Sequence, residues 1–586
     1  MNSTPNNHKR WSPVWGDGLA AALLLALICL LAWPGMRAPL FSDDIFQLAK
    51  SKQFHSWTEV FGTDVFGFFR PVKNALFMAA APLENHLVAW HWVGLFAYLA
   101  ATLGVFRMAS ICLVSRRAAW LAAGLWALSP ACVSTAIWLS CANISIGLVF
   151  AACVLHFHER WALRPSPAAL VACVLGCALA LLCYETLIAI PALLFIRDVQ
   201  QRRLGYNRRT FILYGAYSLV VLAFLLLRYH LSARNIGDYG HFHPGFSPDT
   251  QAIHLSLSAP WFLWRHFLMW VFPFGTLEVF GSYGWMRSAS AASLVFGWLF
   301  LLGLCGTAAL TWKRFPAIAY GLLFFVVASL PSGNFLPCFN GPIIDAYVTI
   351  PSVGLAMVLA VGCELLLQQV LQRRREAGSG VLAYATVLCL LLIYRVPVCG
   401  CYFRYWAGVW AHPVELLLLS SETRPFQFQP KSLASVLLFT DGYFDQAEAI
   451  ANEVIQEAPW NLQARLTLAR IAAFRQDFTT AESSYRFILG APSKDVLLND
   501  PAHLELANLL SQRPNRREEA AQICREMVAN DHGRYQSCAI ALLAKIYKDQ
   551  DNPAKARSTL ELGLSLYPHN EALENMLKAI IAPGGS

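Results

Sequence analysis

Apolar stretches of roughly 20 residues, the length that crosses a bilayer, recur along this chain from Leu19 to about Cys401 and then stop. No other feature limits the fold so strongly. Backbone N–H and C=O groups in hydrocarbon must be satisfied within their own segment, so such runs predict helices. The pattern predicts eleven spans, near 18–34, 87–106, 118–133, 136–156, 167–183, 186–197, 210–230, 291–311, 315–332, 347–369 and 380–400. From about Ser421 the chain turns charged and Ala-rich, with a helical pattern. The expected fold is all-α, a polytopic membrane helix bundle followed by an α-solenoid. Its parts are a cytoplasmic N-terminus (1–17), the multi-span domain (18–402), a linker (403–430) and a repeat domain (431–583).

Hydrophobic residues make up 56% of the 586 positions and charged ones 14%, which excludes an ordinary soluble protein. The net charge of +9 could suggest nucleic acid, but the basic residues cluster in short loops between spans, so no nucleic-acid partner is expected. A cytoplasmic start puts Arg116-Arg117, Arg160 and Arg164, Arg197 to Arg209, Lys313-Arg314 and Arg373 to Arg375 on one side, as topology rules require. The run from Gly18 to Trp33 has no convincing cleavage site after it and reads as a retained signal anchor, with Trp15 and Trp33 as interfacial belts. Counting 256–275 as a span would invert every later loop. It is therefore expected as a helix lying at the outer surface or re-entrant, carrying Arg265 and His266. Most of the sixteen cysteines lie in apolar runs as small hydrophobes; Cys524 and Cys538 would pair only in an oxidising compartment.

Asp43 and Asp44 follow the first span with no matching basic neighbour, an arrangement costly beside a bilayer and usually kept for chemistry. With this topology Asp43, Asp44, Arg70, His91, Glu185, Arg228, Arg265, Asp345 and Tyr347 all fall at or beyond the outer ends of their helices. Polar groups from seven segments on one face predict a site at the membrane surface; a transporter would place them at mid-membrane. Structural readings compete. The acidic pair could cap the helix of "DIFQLAKS", Arg70 and Arg228 could snorkel to headgroups, His91 could be interfacial, and Tyr347 could be packing.

In the C-terminal part Ala447, Ala481, Ala520 and Ala556 recur at intervals of 34, 39 and 36 residues. Phe444 and Phe478 stand three residues before two of them, and Pro459, Pro492 and Pro568 mark helix ends. This is the tetratricopeptide pattern, about four helical pairs with the third irregular around "SQRPNRREEA". Such stacks usually offer a groove for a peptide or protein partner. An odd number of spans puts them on the side of the acidic pair.

Together these features resemble the C-type glycosyltransferases (GT-C), multi-span enzymes that take a sugar from a polyprenyl-phosphate carrier, and especially protein O-mannosyltransferases with tetratricopeptide tails and their bacterial relatives. The resemblance rests on "FSDDIF", "FFRPV", "WHWVGLFAYLAA", "ALSPACVSTAIWLS", "CYETLIAIP", "LLLRY" and "DAYVTIPSVGLAM". Where the family has Lys before the second acidic site this chain has Tyr184, and where it has Arg this chain has Ala346.

The resemblance implies inverting transfer to a protein or glycan hydroxyl on the outer, periplasmic or lumenal, side; the short loops and the retained signal anchor suggest a bacterial inner membrane, with an endoplasmic reticulum membrane giving the same topology. Asp43 or Asp44 would act as base, with Asp43 favoured, and Glu185 as a second acid that orients donor or acceptor. Arg70, Arg228 and Arg265 would hold the donor phosphate, and His91 and Tyr347 would contact substrate. No cofactor is certain; a divalent cation is compatible with the chemistry. Two alternatives stay open: an O-antigen polymerase or ligase, and a non-catalytic membrane scaffold binding proteins through its repeats.

Overall fold

The computed structural model describes residues 15–63, 65, 68–204, 208–231, 248–274, 290–333, 335, 344–375, 381–422, 428–491, 496–530, 534–568 and 570–581. All regular elements among them are helical, and the chain divides into two compact units, Met1–Pro425 and Phe426–Ser586.

Among the described residues of the first unit seven helices are long and apolar enough to cross a membrane, by length and composition: Gly16–Arg37, Leu87–Cys112, Leu139–Leu163, Arg208–Leu231, Ala291–Thr311, Ser352–Arg374 and Val381–Val409. This corrects the expected eleven. The predicted third span is a pair, Arg116–Ala127 and Pro130–Ile137, bent by 66°, which would make an eighth span if counted as one. Proline at 130 has no N–H to continue the ladder, and Ser129 before it is extended (ψ 126°). The fifth and ninth are the shorter helices Pro167–Cys183 and Pro316–Ser329. The sixth is a 3₁₀ turn, Glu185–Ala189, followed by the 11-residue helix Ile190–Gln200.

The helix Pro248–Val271, expected at the outer surface or re-entrant, is not among these seven; it buries Ala259, Phe262, Leu263, His266, Met269 and Trp270. It runs so close to Ala291–Thr311 that a Cβ on Gly297 would meet the Trp261 backbone. The stretch 403–430, expected as a linker, holds most of the helix Cys399–Val409 and all of Pro413–Glu422, with Phe403, Trp406, Leu416 and Leu417 buried. Its aromatic and aliphatic positions are too apolar for an exposed linker.

A central bolt fixes the segments that carry the polar groups. Tyr98 stacks on Trp126 at 5.0 Å and donates to the Ala127 carbonyl. Trp126 Nε1 donates to the Thr349 carbonyl, and the Thr349 hydroxyl bonds that of Thr135 at 2.7 Å. Gly321 and Gly354 let the helices Pro316–Ser329 and Ser352–Arg375 touch backbone to backbone.

The described residues of the second unit stack four antiparallel helix pairs and a closing helix, Glu571–Ile581, in the tetratricopeptide arrangement expected from the sequence. Ala447, Ala481, Ala520 and Ala556 are fully buried where the helices meet. Five residues before three of these alanines the backbone turns through positive φ, at Gly442 (84°), Gln476 (66°) and Asp551 (56°). The third pair replaces that turn with a 3₁₀ turn, Pro514–Arg516, which accounts for its irregular spacing. Cys524 is buried, Cys538 is exposed, and both are free thiols.

Candidate functional site

The loop leading to the acidic pair is docked at two points. His91, buried on Leu87–Cys112, places Nε2 2.8 Å from the Ala38 carbonyl and Nδ1 2.8 Å from that of Ile137. A neutral ring donates to one of them and an imidazolium to both. The expected substrate contact is thus a clamp joining two backbones. Ser42 then turns at φ 52°, ψ −123°, a conformation open mainly to glycine, and the helix Asp43–Ser51 begins. Ser42 makes no side-chain cap, so the two aspartates fill the first turn, where the helix dipole favours negative charge.

The aspartates occupy different environments. Asp44 is 1% exposed, and its Oδ1 accepts the Ser140 N–H (2.9 Å) and hydroxyl (2.6 Å). Asp43 is only half-buried. Burial pushes the Asp44 carboxyl up to about 7, against the pull of the Ser140 hydrogen bond and the Lys73 charge. The same helix buries Gln47, whose amide donates to Asn74 (2.8 Å). Asn74 in turn donates to the carbonyls of Val60 and Thr63. This chain bolts the acidic helix to Pro71–Ala80.

Arg70 caps that second helix and is held by Glu185, Phe68 and Tyr184. Its Nε and Nη2 donate to the two Glu185 oxygens at 2.8 and 2.6 Å. Its guanidinium lies 4.4 Å from the centre of the Phe68 ring and 4.7 Å from that of Tyr184. A lysine at 184, as in the GT-C pattern, would set a cation against Arg70; the tyrosine offers a π face instead. Burial disfavours the Glu185 charge, but Arg70 and then Arg228 outweigh it and hold the carboxyl below its ordinary value. Glu185 therefore serves Arg70 as a positioning group.

Arg228 is buried in the last turn of Arg208–Leu231, and its Nε has no protein partner among the described residues. Tyr347, in the 3₁₀ turn Asp345–Val348, lies within electrostatic reach of Arg70 and Tyr184. Its ring sits 6.4 Å from that of His266, edge to face. Arg265, beside His266, is 8% exposed.

Sequence reasoning missed two members. Lys73, three residues after Arg70 on the same helix face, is 4% exposed and lies within reach of Asp43, Asp44 and Arg70. Burial lowers its pKa despite both carboxylates. A lysine three positions from an arginine on an otherwise apolar helix was the available signal. Ser140 gave none, since its role depends on the break at Trp138. Among the described residues no three His, Cys, Asp or Glu side chains converge on a cation position. With Asp44 engaged by Ser140 and Lys73 beside the pair, these residues do not fit a protein-bound divalent cation.

A scan against protein-family models finds no match, and no curated protein matches the sequence. Solved structures similar to the chain include the TPR domain of P58(IPK), at 11% identity and TM-score 0.20, covering 73% of this chain and 97% of that one. Another is the APC/C hetero-tetramer Cut9–Hcn1, at 11% identity and TM-score 0.28, covering 87% and 96%.

Proposed function

We propose that the chain is an integral-membrane glycosyltransferase of GT-C type, moving a sugar from a polyprenyl-phosphate carrier to a protein or glycan hydroxyl on the outer face of a bacterial inner membrane. One observation carries the reading. A partly buried carboxylate, a fixed guanidinium and two further cations come from three separated segments into one electrostatic cluster: Asp43, Arg70, Lys73 and Arg228. Such a set suits a reaction that removes a proton at one end and releases a phosphate at the other.

In this scheme Asp43 accepts the proton of the acceptor hydroxyl as its oxygen bonds to the anomeric carbon from the face opposite the carrier. The bond from that carbon to the phosphate oxygen breaks, and its electron pair leaves with the polyprenyl phosphate. Arg70 retains Nη1 for that phosphate while Glu185 occupies its other edge. Arg228 and Lys73 add positive charge. Asp44, buried and tied to Ser140, orients the turn. The repeats present the acceptor or bind another protein.

The test is sugar transfer by the purified full chain, supplied with a panel of polyprenyl-phosphate sugars. Asp43→Asn is expected to lower turnover by about 10²–10⁴-fold, the usual contribution of a general base. Turnover unchanged in Asp43→Asn would refute the assignment. No transfer from any donor, with function lost only on changing the repeats, would favour the scaffold.

A further inference from the structure

The last long helix of the first unit is interrupted by a π-helical turn, Tyr394–Val398, with Pro397 inside it. A π turn changes the direction in which side chains leave a helix and is often found at functional sites. Here it directs Arg395 inward, where it is 3% exposed within a segment of span length. Part of this side chain has a structural task. Its Nη1 donates to the Trp270 carbonyl at 2.7 Å, and Tyr394 donates to the Val271 carbonyl, so the two cap the end of Pro248–Val271. The guanidinium also lies 4.0 Å from the centre of the Trp270 ring.

Those contacts use one edge of the guanidinium. Its Nε and Nη2 have no protein partner among the described residues, and no carboxylate there forms an ion pair with it. Elsewhere this chain fills the same edge with a carboxylate: Arg70 gives Nε and Nη2 to Glu185, and Arg470 gives them to Glu505. A helix C-terminus supplies only about half a negative charge, so about half of the Arg395 charge is unmatched among the described residues. One turn before Trp270 on the same helix face stands His266, fully buried, with both ring nitrogens also without a protein partner.

We infer that Arg395, with the Trp270 ring against it, forms an anion site that takes a phosphate group through the Nε/Nη2 edge. Phosphate oxygens match that edge bidentately, as carboxylates do. The group can come from a lipid headgroup or from free phosphate. The inference rests on the unmatched buried charge and does not depend on glycosyl transfer.

The test is thermal unfolding of the full chain in detergent, titrated at constant ionic strength with inorganic phosphate or with geranyl phosphate. Saturating ligand is expected to raise the apparent Tm by about 3 °C or more. Arg395→Gln should weaken the apparent affinity at least tenfold. A shift with both ligands assigns the site to the phosphate group alone; a shift with geranyl phosphate only assigns it to a lipid headgroup. Arg395→Lys, which keeps the charge but loses the bidentate edge, serves if Arg395→Gln does not fold and should show a weakened shift. No shift in the wild type, or an equal shift in the Arg395 variants, would overturn the proposal.

Discussion

Asp44 makes a prediction that needs no substrate. Its carboxyl is pushed from 3.8 to about 7, first by burial and then by the neighbouring Asp43, with Ser140 and Lys73 pulling the other way. At about 1.4 kcal/mol per tenfold, that difference corresponds to about 4 kcal/mol. The folded state keeps the proton that the unfolded chain has already released between those two values. The contribution of Asp44 is therefore fully present below about pH 4, declines as pH rises toward 7, and is lost above it. In Asp44→Asn the amide oxygen still accepts both Ser140 bonds, and nothing at that position titrates. Apparent Tm of the two proteins in detergent should then converge near pH 4, with Asp44→Asn several degrees higher by pH 8. Asp43→Asn is the control for the neighbouring charge. Parallel curves for wild type and Asp44→Asn across pH 4–8 would refute the burial argument.

Three further outcomes follow from particular contacts. Glu185→Gln leaves a buried guanidinium half-paired and should cost about 3–5 kcal/mol. Arg70→Met with Glu185→Leu should recover most of that loss, as a double-mutant cycle on thermal unfolding would show. Gly354→Ala puts a Cβ onto the Gly321 carbonyl oxygen and 2.8 Å from the Phe325 nitrogen. Backbone cannot yield there, so a loss of about 1–3 kcal/mol or more is expected in the same assay. In the repeats Gln476→Gly and Asp551→Gly relieve positive φ and should each raise stability by about 1 kcal/mol, whereas the same change at Asn515 should not, since the third pair turns differently.

The repeats were legible because their signal is local: a small residue at every helix contact and a turn at fixed distance from it. The helices of the first unit were legible as apolar runs, but their lengths were not. Hydropathy averages over a window and passes across Pro130, Trp138 and Tyr184, where the backbone breaks. Those breaks carry the site, since Ser140 and Glu185 both lie just beyond one. The pairing of Arg70 with Glu185 spans 115 positions and leaves no trace in spacing. The buried stripe Asp44, Gln47, Leu48 and Ser51 has helical period but is mostly polar, so a reading tuned to apolar faces passes over it. Arg395 was the clearest available sign, an arginine within a predicted span.

The unequal burial of the two aspartates bears on which could act as the base in the proposed reaction. Asp44 has a pKa near neutrality, the value usually sought in a general base. Its position argues otherwise: it is 1% exposed, and one oxygen is already engaged by two Ser140 donors. An acceptor alcohol would have to displace those bonds to reach it. Asp43 is half-buried in the same turn, next to the Lys73 charge, and can meet a hydroxyl without rearrangement. The same logic separates the arginines. Arg70 is immobilised by Glu185, Phe68 and Tyr184, so a phosphate meeting it pays little ordering cost. On the proposed reading, then, the buried carboxylates of the cluster, Asp44 and Glu185, hold geometry, and the less enclosed edge formed by Asp43 and Arg70 Nη1 meets the substrate.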